Sequence, residues 1–271
     1  MRLEGRHVLV TGASSGIGLE LARVLCERGA ALALASRSQD RLEQVSEELA
    51  SGNPGAARPL PVACDLSDET SVRALIGTCI ETLGTLDVLV NNAGICVYGP
   101  VEKTSVSNMR SLLDVNYVGA AQAMLEVLPF MRRQGHGLIV NVSSLAALHG
   151  VPYLGAYGAS KAALVTLSQS MRVELAGSGV EVMLAYPDYT ESAIYENELK
   201  VGGAVRPPGP YAPTREVAEA IVRGMESGAR ELILSSRGKR LSVLSRLAPR
   251  LVERRMKALA DELRDDAPPD D

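Results

Sequence analysis

The sequence predicts an α/β fold, a doubly wound parallel sheet of seven strands with helices on both faces, and three observations point to it. Short apolar or β-branched runs alternate with amphipathic stretches along the chain. The runs lack a polar alternate face, as in LIVNV at 138–142, which marks strands covered on both sides. A glycine-rich turn, TGASSGIG over residues 11–18, joins the first run to the first helical stretch.

In chain order, strands are expected over residues 7–11, 31–36, 60–64, 88–91, 137–142, 181–186 and 231–234. Amphipathic stretches between them, such as 18–28, 39–50 and 68–83, supply the crossover helices. Strand–helix alternation of this kind implies right-handed crossovers and a parallel sheet. Residues 202–213 hold four prolines and three glycines and so form a loop. Residues 191–213 are expected as a substrate lid, 237–263 as an amphipathic basic C-terminal segment, and 264–271 as a disordered tail. A chain of 271 residues fits one α/β domain better than two small ones.

Composition excludes several functions. A net charge of −4 gives no reason to expect a nucleic-acid partner. Cys26, Cys64, Cys79 and Cys96 form no C-x-x-C pair, so they read as buried reduced thiols of a cytoplasmic protein and not as a metal site. The first strand begins near His7, which leaves no room for a signal peptide. No apolar run approaches the roughly 18 residues that span a bilayer.

The glycine-rich turn is a phosphate cradle. Glycines let the backbone approach a pyrophosphate, and the helix that follows offers unpaired N–H groups and a positive dipole end. Gly12, Ser14, Ser15, Gly16, Ile17 and Gly18 are its expected contacts. The second strand decides between the two nicotinamide cofactors. It ends in Ser36-Arg37, with no acid to accept from a ribose hydroxyl and with Arg41 a helical turn on. Two cations and a hydroxyl suit a 2′-phosphate, so NADP(H) is the expected cofactor. Asp65, beside Leu66, either orients the adenine amino group or caps the next helix. Asn92, Ala93 and Gly94 close the fourth strand, where ligands of such sheets bind.

Ser144 follows the fifth expected strand, and Tyr157-Gly-Ala-Ser-Lys161 opens a helix thirteen residues later. A spacing of four puts Tyr157 and Lys161 on one helical face. A phenol with an ordinary pKa of about 10 is a poor base near neutrality. A neighbouring ammonium favours the phenolate, and a hydroxyl such as that of Ser144 steadies a carbonyl oxygen as it gains charge.

Together these motifs resemble the short-chain dehydrogenase/reductase family. TGASSGIG, the NNAG at 91–94, Asn116, Ser144 and YGASK all fall in the family's order, across nearly the whole chain. The resemblance implies a Rossmann-type fold and a tetrad of Asn116, Ser144, Tyr157 and Lys161. In it Tyr157 is the acid in reduction, and Ser144 holds the substrate oxygen. Lys161 binds the nicotinamide ribose and depresses the tyrosine pKa, and Asn116 holds a water that passes the proton to solvent. Family members often form dimers and tetramers, so a homo-oligomer is expected.

One departure stands out. The family has Pro-Gly after the sixth strand, where this chain has Pro187-Asp188, and aspartate lacks glycine's backbone freedom. The run YPDYTES at 186–192 is similar to the 3-ketodihydrosphingosine reductases, which implies Thr190 and Ser192 at the cofactor's carboxamide. The eight tyrosines cluster at strand ends, beside the tetrad and near the lid, as suits an amphipathic ligand. Residues 237–257 hold eight Lys/Arg and one acid. Their apolar stripe, Leu241, Leu244, Ala248, Val252, Met256, Leu259 and Leu263, fits either a peripheral membrane contact or packing on the protein itself. The expected substrate is a hydrophobic ketone, 3-ketodihydrosphingosine first, with reduction or dehydrogenation of another hydrophobic ketone or alcohol, steroid or polyketide-like, as the alternative. A non-catalytic NADP-binding sensor or scaffold is the rival of another class.

Overall fold

In the computed structural model, which describes residues 1–53, 55, 57–191, 199–202 and 211–263, the apolar runs become one parallel sheet. Its strands are β1 (His7–Thr11), β2 (Ala31–Ser36), β3 (Leu60–Ala63), β4 (Val88–Asn91), β6 (Gly137–Val142), β7 (Val180–Tyr186) and β9 (Glu231–Ile233). They lie in the order β3-β2-β1-β4-β6-β7-β9, all parallel. Successive side chains of a strand point to opposite faces. Val8 and Val10 of β1 therefore enter one core while Leu9 enters the other.

Helices α1 (Gly16–Glu27), α2 (Gln39–Gly52) and α7 (Thr214–Ser227) cover the first face. Helices α3 (Glu69–Leu83), α5 (Ala120–Gln134) and α6 (Gly155–Glu174) cover the second. Each fully buried Leu or Val adds roughly 1.5–3 kcal/mol to the cohesion of these cores. The chain turns from one direction of winding to the other between β1 and β4, which opens a crevice at their carboxyl ends.

Two elements lie outside the sequence expectations. Val97–Tyr98 (β5) and Leu199–Lys200 (β8) form a small parallel pair beside the crevice. Between α4 (Val106–Leu113) and α5, residues Asp114–Gly119 wind as a wider π turn that carries Asn116. Beyond β9 the basic segment folds into two helices, α8 (Ser236–Leu247) and α9 (Pro249–Glu262), hinged where Pro249 cannot continue the first. The stripe read from the sequence turns inward: Leu241, Leu244, Val252, Met256 and Leu259 face the loop after β6. No helix of the described residues is long and apolar enough to cross a membrane. The expected tail at 264–271 and most of the expected lid lie outside the described residues.

Candidate active site

A cavity of about 840 Å³ runs along the carboxyl ends of the strands. Gly12, Ser14, Ser15, Gly16 and Ile17 form its floor. Gly12 has a φ of +68°, and a Cβ there would approach the Ala93 Cα to 2.8 Å. A Cβ on Gly18 would strike the Gly12 carbonyl oxygen and lie 2.5 Å from the Asn92 amide nitrogen. Gly18 thus packs helix α1 onto the turn without itself lining the cavity. Thr11 ties this turn to the next strand, since its hydroxyl accepts from the N–H groups of Asn92 and Ala93, both at 3.1 Å. Helix α1 begins here with no side chain capping its N-terminus, so its first N–H groups are open to an anion. The cradle fits a dinucleotide pyrophosphate.

Ser36, Arg37, Asp65 and Leu66 line the same cavity. Asp65 accepts from the backbone N–H and the hydroxyl of Ser67 at 2.9 and 2.7 Å, which holds its carboxyl below the usual range. Helix α3 is capped by Asp68 instead, whose side chain accepts from the Thr70 N–H. Arg41, expected beside Arg37, stands one step back from the cavity. It does not line the cavity; its Nε donates to the Ser14 carbonyl at 3.4 Å, and it pairs with Glu48 at 3.5 Å. It braces the glycine-rich turn from behind, because the start of α2 points its guanidinium toward that helix's own acidic face.

Ser144 caps a short turn after β6, its Oγ accepting from the Ala146 N–H at 3.2 Å. Tyr157 and Lys161 stand one turn apart on α6, and both are buried. The Lys161 ammonium donates to the Val142 carbonyl at 3.0 Å. Burial pulls its pKa down to about 8, opposed by the Cys96 sulfur. Burial, then repulsion from Cys96, pushes the Tyr157 phenol above its ordinary value, while a hydrogen bond with Ser144 opposes the rise. Desolvation is the largest of these influences. A phenol held protonated is the form that donates a proton.

Asn116 stands behind this wall. Its Oδ1 accepts from the Ile95 N–H at 2.8 Å, and its amide donates to the Ile95 carbonyl at 2.9 Å and to Ser160 Oγ at 3.0 Å. Both amide hydrogens are thereby occupied in clamping the 94–95 turn against α6, which leaves a water only the second lone pair of Oδ1. The π turn at Asp114–Gly119 is what rotates this side chain inward.

Asn92, Ala93, Gly94, Pro187 and Thr190 line the cavity, and Ser192 lies outside the described residues. Asp188 needs no glycine-like backbone: Tyr153, at φ 64°, is the one non-glycine at positive φ among the described residues. Its carboxylate instead binds Ser235 Oγ at 2.8 Å and the Arg237 guanidinium, fastening α8 to the site. Tyr153 fastens α9, donating to the Ala260 carbonyl at 2.8 Å. Cys96, read from the sequence as a buried thiol, is both buried and on the cavity wall. Sequence reasoning missed Thr11 and the tie from Asp188 to Arg237, because each depends on a partner about fifty residues or more away.

Comparison with known proteins agrees with this geometry. The short chain dehydrogenase family matches residues 6–200. The chain is 32% identical over 259 residues to the ketoacyl reductase HetN of a Nostoc species, covering 93% of this chain and 88% of that one. It is 36% identical over 263 residues to the 11-beta-hydroxysteroid dehydrogenase 1A of Arabidopsis thaliana, covering 93% and 74%. Among solved structures, a short chain dehydrogenase from Burkholderia cenocepacia in complex with NADP superposes with a TM-score of 0.81 at 26% identity, covering 94% of this chain and 99% of that one. The sheet order, the glycine-rich cradle and these matches agree: the chain belongs to the short-chain dehydrogenase family of oxidoreductases.

Proposed function

We propose that the protein reduces a ketone on a lipid-like small molecule to a secondary alcohol, using NADPH. One observation carries the reading: a buried Tyr157 in hydrogen-bonding contact with Ser144, where a dinucleotide-sized cavity meets an apolar one. NADPH, when bound, supplies the hydride. Ser144 donates a hydrogen bond to the carbonyl oxygen, and Tyr157 passes that oxygen its proton. Lys161 holds the nicotinamide ribose, and Asn116 keeps the 94–95 turn in register and feeds the proton relay. Gly12 to Gly18 take the pyrophosphate, with Asp65 and Leu66 at the adenine, Arg37 at the 2′-phosphate, and Thr190 and Ser192 at the carboxamide. A sensor or scaffold would have no use for the buried Tyr157–Lys161 pair.

The substrate body is lipid-like on two grounds. The second cavity is walled by leucines, valine and methionine, and relatives bear the names ketoacyl reductase and 11-beta-hydroxysteroid dehydrogenase. The YPDYTES run makes 3-ketodihydrosphingosine one candidate, beside steroid and polyketide-like ketones. Residues 191–213 would act as the lid of a single catalytic domain, a reading supported by the stacking of Tyr211 on Tyr189 at 5.6 Å. A homo-oligomer would cover exposed apolar positions such as Leu125 and Val173. The buried thiols suit a cytoplasmic protein, and the exposed basic face of α8 and α9 suits peripheral contact with a membrane.

NADPH oxidation by a panel of small, steroid and long-chain ketones tests this, with NADPH and NADH compared on wild type and Arg37→Ala. Turnover with a marked NADPH preference is expected. Arg37→Ala should lose roughly 1.5–3 kcal/mol of that preference, the worth of a charge-assisted contact. No turnover of any ketone would contradict the reductase reading.

A further inference from the structure

Beside the catalytic wall lies a second cavity of about 350 Å³, which shares Ser144, Pro187 and Asp188 with the larger one. Its size falls within the range of small-molecule sites. Leu145, Leu154, Leu241, Leu244, Met256 and Leu259 give it an apolar wall. Into that wall stand three arginines, Arg237, Arg240 and Arg255. Among the described residues the charge does not balance: Asp188 is the one carboxylate they place on the lining, and it is already taken by Arg237 and Ser235. Arg240 donates to the Ser236 carbonyl at 3.4 Å and meets no carboxylate among the described residues. Arg255 forms no ion pair among the described residues. The two come from different helices, α8 and α9, and reach the same cavity.

Guanidinium groups on an apolar wall match a carboxylate or phosphate in shape and charge, and they repel an ammonium. We propose that this cavity is the specificity site for the non-reacting end of the substrate, selecting a lipid-like ketone that carries an acidic group held by Arg240 and Arg255. The inference deepens the reductase reading and rests on it for the position of the reacting carbonyl. It also orders the candidates: a sphingoid amino ketone brings the wrong charge to this wall.

The test uses the full chain with NADPH and four ketones: a keto fatty acid, its methyl ester, 3-ketodihydrosphingosine and a small cyclic ketone. The acid is expected to show a KM about tenfold or more below that of the ester, with the amino ketone the poorest of the three lipids. Arg240→Gln/Arg255→Gln should raise the acid's KM to that of the ester and leave the small ketone's kcat/KM unchanged. Dodecanoate and dodecyl phosphate, which cannot be reduced, serve as competitive inhibitors, with dodecanol as the neutral control. The tighter acid identifies the group. Equal KM values for acid and ester, an insensitive double variant, or an amino ketone that is preferred would each overturn the proposal. Failure of every ketone would instead sink the reductase reading. Calorimetric binding of dodecanoate over dodecanol, lost in the double variant, would still report on this cavity, and no difference between the two would overturn it.

Discussion

At the scale of single residues the chemistry turns on two buried groups whose burial acts in opposite senses. Desolvation disfavours charge, so it raises the Tyr157 phenol and pulls the Lys161 ammonium down to about 8. The lysine's burial costs stability while it is charged; that cost is full below about pH 8 and fades toward its ordinary 10.5. The same value gives a kinetic expectation. The kcat/KM for NADPH reports groups of the free enzyme, so in reduction it should hold below pH 8 and fall as Lys161 loses its charge. Burial moves the Tyr157 phenol the other way, above its ordinary value, so the alkaline limb is assigned to Lys161. A pH profile of wild type against Lys161→Arg checks this: the variant, whose guanidinium does not titrate in this range, should lose the alkaline limb. A wild-type profile flat to pH 10 would contradict it. The residue types and spacing of Ser144, Tyr157 and Lys161 were legible in the sequence. The direction of the tyrosine's shift was not, because it depends on Cys96 and on burial by segments distant in the chain.

At the scale of elements the C-terminal hairpin shows what periodicity can and cannot tell. The stripe and the break at Pro249 are visible in sequence, yet the side that faces the protein is chosen by partners elsewhere. Asp188 and Tyr153 supply those partners, fastening α8 and α9 across the substrate end of the site. A second apolar set points outward: Val243, Leu247 and Leu251 are 55%, 78% and 44% exposed, beside Arg246, Arg250 and Arg254. Each cation near an anionic surface adds about 1 kcal/mol of attraction. Wild type is therefore expected to float with phosphatidylserine vesicles, less so as salt rises. Arg246→Glu/Arg250→Glu/Arg254→Glu should stay behind while reducing a small ketone normally. Wild type that fails to float would leave this corner without a membrane role.

At the scale of the whole molecule the fold was the most legible part, for a physical reason. Parallel strands covered on both faces must be apolar throughout, so each writes a continuous run into the sequence. The β5–β8 pair was not legible, since two residues per strand carry no period. The cavities were legible only as motifs at strand ends: Arg37 and Arg41 read alike in sequence, yet one lines the crevice and the other supports its floor. All of these parts converge on a single proton. The most direct measurement is single-turnover reduction by NADPH of a ketone turned over by wild type, set beside Tyr157→Phe with NADPH affinity measured in parallel. Only the phenolic hydroxyl, with its transferable proton, is removed, so the variant should bind NADPH almost as wild type does and lose nearly all turnover. A variant that binds NADPH and still reduces the ketone at close to the wild-type rate would contradict the assignment of Tyr157 as the acid.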